Sequence, residues 1–194
     1  MNLLAWNTAE NKLILARLFE QQSPQLLVQC LDKLLQLHQQ GAGAALDSLD
    51  SALLVVRELA QASLSMCFRF LDGSNLLCVL RQLLLTVESK KIASSVAITL
   101  ATLVAANEQV ACFLDDCMLD ALLRETSRSS SFLAMHLFQV NFDHPTLRRF
   151  AEQCAASENE EVLTNISAVF RALMQQDFKL ADVEFGINLV SKII

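Results

Sequence analysis

The chain has 194 residues, with 15 Lys and Arg against 21 Asp and Glu, a formal net charge of −6 and 53% hydrophobic residues. Gly (4), Pro (2) and Tyr (0) are scarce, which excludes collagen-like or low-complexity sequence, a glycine-rich phosphate loop and a β-fold built on many tight turns. The acidic balance argues against bulk nucleic-acid binding, which needs a Lys/Arg surplus to displace counterions.

Helical signals follow one another closely along the chain. Asn7 with Glu10 three residues later reads as a capping box, opening a helix whose apolar face is Leu13, Leu15, Ala16, Leu18 and Phe19. Ser23 with Pro24 is a second start signal, because proline suits the first helical position. That helix runs to a glycine stop at Gly41. A third opens at Asp47 or Ser48. The spacing then predicts short helices over 65–71, closed at Asp72-Gly73, and over 75–87, followed by a longer one over 90–106. Further helices are expected over 108–114, 118–125, 132–140, 146–154, 160–174 and from about 180 to the end. Strand-type alternation never persists beyond a few positions. The predicted class is all-α.

The cysteines at 30, 67, 78, 112, 117 and 154 stand mostly among apolar neighbours, as in LLVQCL, LLCVL and VACFL. They read as small core hydrophobes rather than a disulfide framework. The opening MNLLAWNTAEN has no basic segment ahead of an apolar run and so no secretion signal. An intracellular, reducing compartment (cytoplasm or nucleus) is expected. The longest uncharged stretch, Ile92 to Asn107, falls short of the roughly 20 apolar residues of a spanning helix, so a buried central helix is expected and no membrane partner. Arg124 with Arg128, Arg148 with Arg149, and Lys90 with Lys91 read as solvated helix ends.

The chain repeats itself. A shift of 43 lays Phe70-Leu71-Asp72 on Phe113-Leu114-Asp115, Leu76 on Leu119 and Leu80-Arg81 on Leu123-Arg124. A longer helix precedes each match, with Val56 to Ala60 standing to the first as Leu100 to Val104 stands to the second. A third, weaker copy aligns Ala134, Leu137 and Val140 with Ala97, Leu100 and Leu103, and then Leu147 and Phe150 with Val110 and Phe113. Such self-similarity is the mark of repeat architectures.

The unit KKIASSVAITLATLVAANEQVACFLDDCMLDALLRE resembles an armadillo repeat, with HEAT repeats as a near alternative. Ala97, Leu100 and Leu103 match the apolar positions of that family's long helix, and Phe113, Leu114 and the Asp72-Gly73 corner match the part that follows. The resemblance implies a right-handed α-solenoid. On that resemblance, residues 1–41 are expected to form an N-terminal helical hairpin cap, 44–175 about three repeats and 176–194 a C-terminal helix. Peptide-binding members of the family carry an Asn on each long helix, where this chain has Glu58, Thr102 and Gln139. The importin branch also lines its groove with Trp; the single Trp here, Trp6, lies outside the repeats.

Chemistry-bearing patterns are sparse. His38, His136 and His144 are far apart in sequence, and none sits two to four residues from a cysteine. Cys112 and Cys117 lack a second pair at zinc spacing, and no metal or cofactor is expected. Cys154 with His144 or His136 is the imaginable nucleophile pair, and Cys117 a further candidate thiol, but no catalytic motif surrounds them. The Asp115, Asp116 and Asp120 corner reads as helix-start stabilisation. No enzyme activity is expected.

The expected function is protein–protein interaction, as an adaptor or scaffold docking a partner peptide or helix. The candidate contact residues are polar positions on the long helices: Arg57, Glu58 and Gln61; Thr99 and Thr102; Gln139 and Asn141; Arg171. The alternative is an oligomerisation domain. The terminal stripe Val183, Ile187, Val190 and Ile194 either packs back, pairs two copies as a homodimer, or continues into a longer protein of which this is the N-terminal domain.

Overall fold

In the computed structural model, which describes residues 24–41, 45–72, 75–124, 126–175 and 185–187, side-chain and backbone caps set many of the element boundaries. Helix α1 (Gln25–Gln39) starts after Pro24, whose carbonyl accepts from the N–H groups of Leu27 and Val28. It stops at Gly41, where φ is 92°, a left-handed geometry that side chains disfavour. Ser63 separates α2 (Ala45–Ala62) from α3 (Leu64–Leu71), its Oγ accepting from Met66 N–H. After α4 (Leu76–Thr86), Ser89 caps α5 (Lys90–Ala106) in the same way through Ile92 N–H. A 3-10 turn, Glu108–Phe113, leads to α6 (Asp116–Leu122), where Asp115 Oδ1 accepts from Met118 N–H at 2.9 Å. The acidic corner is thus a helix start. Helices α7 (Arg128–Gln139), α8 (Pro145–Ala155) and α9 (Glu160–Gln175) complete the order, with one last helical turn at 185–187. Among the described residues there is no strand, and the class is all-α.

Several boundaries differ from expectation. α2 begins at Ala45, and 108–114 is a 3-10 turn rather than an α-helix. α7 starts at Arg128, a full turn before Phe132. Serines are weak helix formers because their hydroxyls compete for backbone partners, yet these hydroxyls are all satisfied. Ser127 Oγ accepts from Ser130 N–H, Ser130 Oγ donates to the Leu122 carbonyl at 2.6 Å, and Ser131 Oγ donates to the Arg128 carbonyl at 2.9 Å. The helix expected after Asn7, together with Gly73, Val183, Val190 and Ile194, lies outside the described residues.

The long helices α1, α2, α5, α7 and α9 pack side by side in that order. α4, α6 and α8 form a second row against them. Contacts between first turns show that α2, α5, α7 and α9 run in the same direction. Lys91 Nζ of α5 reaches Asp47 Oδ1 at 3.0 Å and Asp50 Oδ2 at 3.1 Å on α2. The hydroxyls of Ser94 and Ser129 join α5 to α7. Between α7 and α9, Asn165 Nδ2 donates to Ser131 Oγ at 2.9 Å and Arg128 Nε meets Glu161 Oε2 at 3.2 Å. The second row is tied likewise, by Arg81 to Asp115 at 2.9 Å and His144 Nε2 to Asp116 Oδ1 at 2.8 Å.

One continuous core joins the rows, with Leu53, Leu100, Leu133, Leu80, Leu119 and Phe150 among its fully buried members. Residues superposed by the internal repeat hold like places in it only in part: Phe70 is buried and Phe113 half-buried, and Leu147 and Phe150 stand on α8 where Val110 and Phe113 stand on the 3-10 turn. Leu76 and Leu80 of α4 are buried, as are Leu119 and Leu123 at α6; Ala97 and Leu100 of α5 are buried, as are Ala134 and Leu137 of α7. The cysteines are a correction: Cys67 and Cys154 are buried, but Cys30, Cys78, Cys112 and Cys117 are exposed. Sequence neighbours on a helix point about 100° apart, so an apolar neighbourhood does not bury a residue. No helix among the described residues is long and apolar enough to cross a membrane.

Candidate interaction face

The first row has an outer side, turned away from the second row, that can be traced at helical spacing. On α2 the buried stripe runs Leu49, Leu53, Val56 and Ala60. That leaves Asp47, Ser51, Leu54, Glu58 and Gln61 on the other side, with Leu54 44% exposed. On α5 the corresponding positions are Lys91, Ser95, Ile98, Thr102 and Ala105. On α7 they are Arg128, Phe132, Met135 and Gln139, and on α9 Thr164, Ser167 and Arg171. Because the four helices are parallel, these positions fall into bands across the face.

Three bands result. At the first turns lie the ionic groups Asp47, Asp50, Lys91, Arg128 and Glu161. Burial works to raise the Asp50 carboxyl, but the Ser95 hydroxyl bonded to it and the Lys91 ammonium outweigh this and hold it below the usual carboxylate range. Lys91 is held above the usual ammonium range by its hydrogen bonds to Asp47 and Asp50. Across the middle run exposed Leu54 and half-buried Ile98, Phe132 and Met135. His136 sits beside them, its ring edge-on to Phe132 at 4.7 Å. Burial pushes its pKa down, so the imidazole is kept neutral. At the last turns lie Glu58, Gln61, Gln139 and Arg171.

The expected contact residues divide accordingly. Gln61, Gln139, Asn141 and Arg171 are exposed, and Arg57 and Glu58 are half-buried. Arg57 also contributes to lowering Asp50, though less than Ser95 and Lys91 do. Asn141 has φ 58°, with Phe142 N–H bonded to the Leu137 carbonyl at 3.0 Å and Asn141 N–H to the Phe138 carbonyl at 3.1 Å. That is a Schellman stop for α7, so helix termination accounts for this residue. Thr99 and Thr102 correct the expectation. Both are buried, and their hydroxyls donate to the carbonyls of Ser95 at 2.8 Å and Ile98 at 3.0 Å; they offer a partner no polar group. The sequence reading misses the apolar middle band. Its one sequence signal is Leu54, an apolar residue off the buried stripe and one turn from Glu58.

The thiol chemistry is also fixed by position. Burial pushes Cys67 up to about 11 and Cys154 up to about 12, so both hold their protons at neutral pH. His144 is not oriented toward a thiol: its Nδ1 accepts from Thr146 N–H as the α8 cap and its Nε2 faces Asp116. Among the described residues no group of three or more His, Cys, Asp or Glu could hold a metal ion. In the terminal stripe, Ile187 is 63% exposed. It is Phe185 that packs back, stacked on Phe138 of α7 at 5.9 Å and 15°. No family model, curated protein or solved structure matches the chain.

Proposed function

We propose that the chain is a non-catalytic protein-interaction module of armadillo- or HEAT-like helical repeats, docking a partner's helix or extended peptide on the outer face of α2, α5, α7 and α9. The repeat reading draws on two features together: the internal sequence repetition, and long parallel helices returned through shorter elements in a second row. The observation that carries the docking reading is the apolar band Leu54, Ile98, Phe132 and Met135, bounded by ionic groups on one edge and polar ones on the other. Apolar anchors supply most of the affinity of such a surface, and the rims fix register. Four exposed free thiols fit a reducing, intracellular setting.

A photo-crosslinking residue placed at Ile98 tests this against one placed at Leu85, which is exposed on α4 in the second row. A discrete protein adduct from position 98, absent from position 85, is expected in cell extract. Adducts from 85 and none from 98 would move the site to another face.

A further inference from the structure

We propose that the segment taken by the outer face is an amphipathic α-helix of a partner protein, lying across α2, α5 and α7 with its N-terminal end over α2. Its apolar residues recur at i, i+4, i+7 and i+11. The inference rests on the outer-face reading above and narrows its two forms of partner, helix or extended peptide, to the first.

The dimensions of the middle band suit a helix. Leu54, Ile98 and the pair Phe132 and Met135 stand on three adjacent helices. Packed helix axes lie about 8–10 Å apart, which sets the outermost anchors about 16–20 Å from each other. A crossing helix, rising about 1.5 Å per residue, covers that span in about 11–13 residues. Positions i, i+4, i+7 and i+11 keep to one of its faces. Along the axes, Ser51 and Glu58 bracket Leu54 about 10 Å apart, and Arg128 and Gln139 bracket the α7 pair about 16 Å apart. A helix with its side chains is about 10–12 Å across and fills a band of that width. One extended strand takes up only about 5 Å.

The band also offers nothing to an extended backbone. Its four side chains are apolar, and the hydroxyls of Thr99 and Thr102 donate to carbonyls of α5 itself. The N–H and C=O groups that an extended chain turned toward the band would lose water without gaining partners. A helix pairs those groups internally. Charge sets its direction. On α2 the face carries Asp47, Asp50 and Glu58 against Arg57, and the Asp47 side chain is 89% exposed. Farther across, Arg128 of α7 and the exposed Arg171 of α9 balance Glu160 and Glu161 at the start of α9. The acidic α2 side therefore favours the positive N-terminal end of a helix, and Arg171 favours the carbonyls of its C-terminal end.

The test uses three full-length chains, each with a photo-crosslinking residue placed at Leu54, Ile98 or Phe132 and each first shown to be folded by circular dichroism. After irradiation in cell extract, peptide mass spectrometry locates the points of attachment in the captured protein. The points from 54 and 132 should lie about 11–13 residues apart in one partner sequence, with the point from 98 between them. The point from 54 should be the nearest to that partner's N-terminus. Arg171→Glu and Asp47→Asn, each added to the chain labelled at 98, should lower the adduct yield about two- to fivefold. Points only about 5–6 residues apart would reveal an extended peptide and overturn the helix while leaving the outer face standing. The reverse order, or yields unmoved by both charge variants, would overturn the proposal as well. So would attachment to a second copy or to residues 1–23 of the same chain, by naming another occupant. No adduct from any of the three positions would overturn the outer face itself, and the helix with it.

Discussion

Truncating Leu100 and Ile98 separately to alanine measures which way α5 faces, and with it whether the outer face exists. Leu100 is fully buried against the helices on either side and the second row. Removing three carbons at about 0.8 kcal/mol each forfeits about 2.4 kcal/mol of transfer energy. The unfilled cavity in a helix so enclosed raises the loss to about 3–4 kcal/mol. Ile98 is half-buried on the outer side. Its truncation removes the same number of carbons, but part of that surface is already wet, no enclosed cavity is left and alanine is the better helix former. The expected loss is about 1–1.5 kcal/mol. For a chain of this size each kcal/mol lowers Tm by about 2–4 °C, so Leu100→Ala should melt roughly 6–16 °C below wild type and Ile98→Ala within about 6 °C of it. Urea unfolding followed by circular dichroism gives the same comparison at constant temperature. Equal losses, or the larger loss at Ile98, would refute the orientation of α5 and the middle band drawn from it.

Two further outcomes follow from burial. His136 has its folded pKa held below its ordinary value of 6.5 by burial, so the unfolded chain takes up a proton first as pH falls. Stability present above about pH 6.5 is therefore lost between that value and the lower folded pKa; His136→Gln should flatten the slope of unfolding free energy between pH 7 and 5, and an unchanged slope would contradict this. Iodoacetamide under native conditions should label the four exposed cysteines, 30, 78, 112 and 117, and spare Cys67 and Cys154 until urea is added. Intact-mass spectrometry counts the adducts, and native labelling of Cys154 would mean that its surroundings open readily.

Local structure was the legible part of the chain. Lys90–Ala106 matches expectation because Ser89 and Asn107 bracket a largely apolar run with no Gly or Pro to break it. Gly41, Asp115 and the His144-Pro145 corner act as their residue types suggest. What spacing alone misses are features that depend on neighbouring helices. Ser129, Ser130 and Ser131 precede the helix start expected at 132, yet they lie buried in α7 because Ser94 of α5, the Leu122 and Arg128 carbonyls and Asn165 of α9 receive or supply their hydrogen bonds. Thr102 holds the position at which the armadillo resemblance expects a clamp, but its hydroxyl is taken up by its own helix. The middle band is invisible for the same reason: Leu54, Ile98, Phe132 and Met135 come from three helices, and only their parallel packing places them together.

The most direct measurement of the central claim is quantitative affinity capture with wild type, Ile98→Glu and Leu85→Glu as baits, each first shown to be folded. A buried carboxylate in an apolar interface costs far more than one at the rim, so a true partner of the outer face should fall at least about tenfold in the Ile98→Glu capture and stay unchanged with Leu85→Glu. Proteins retained equally by all three, or lost only with Leu85→Glu, would contradict docking on the face formed by α2, α5, α7 and α9.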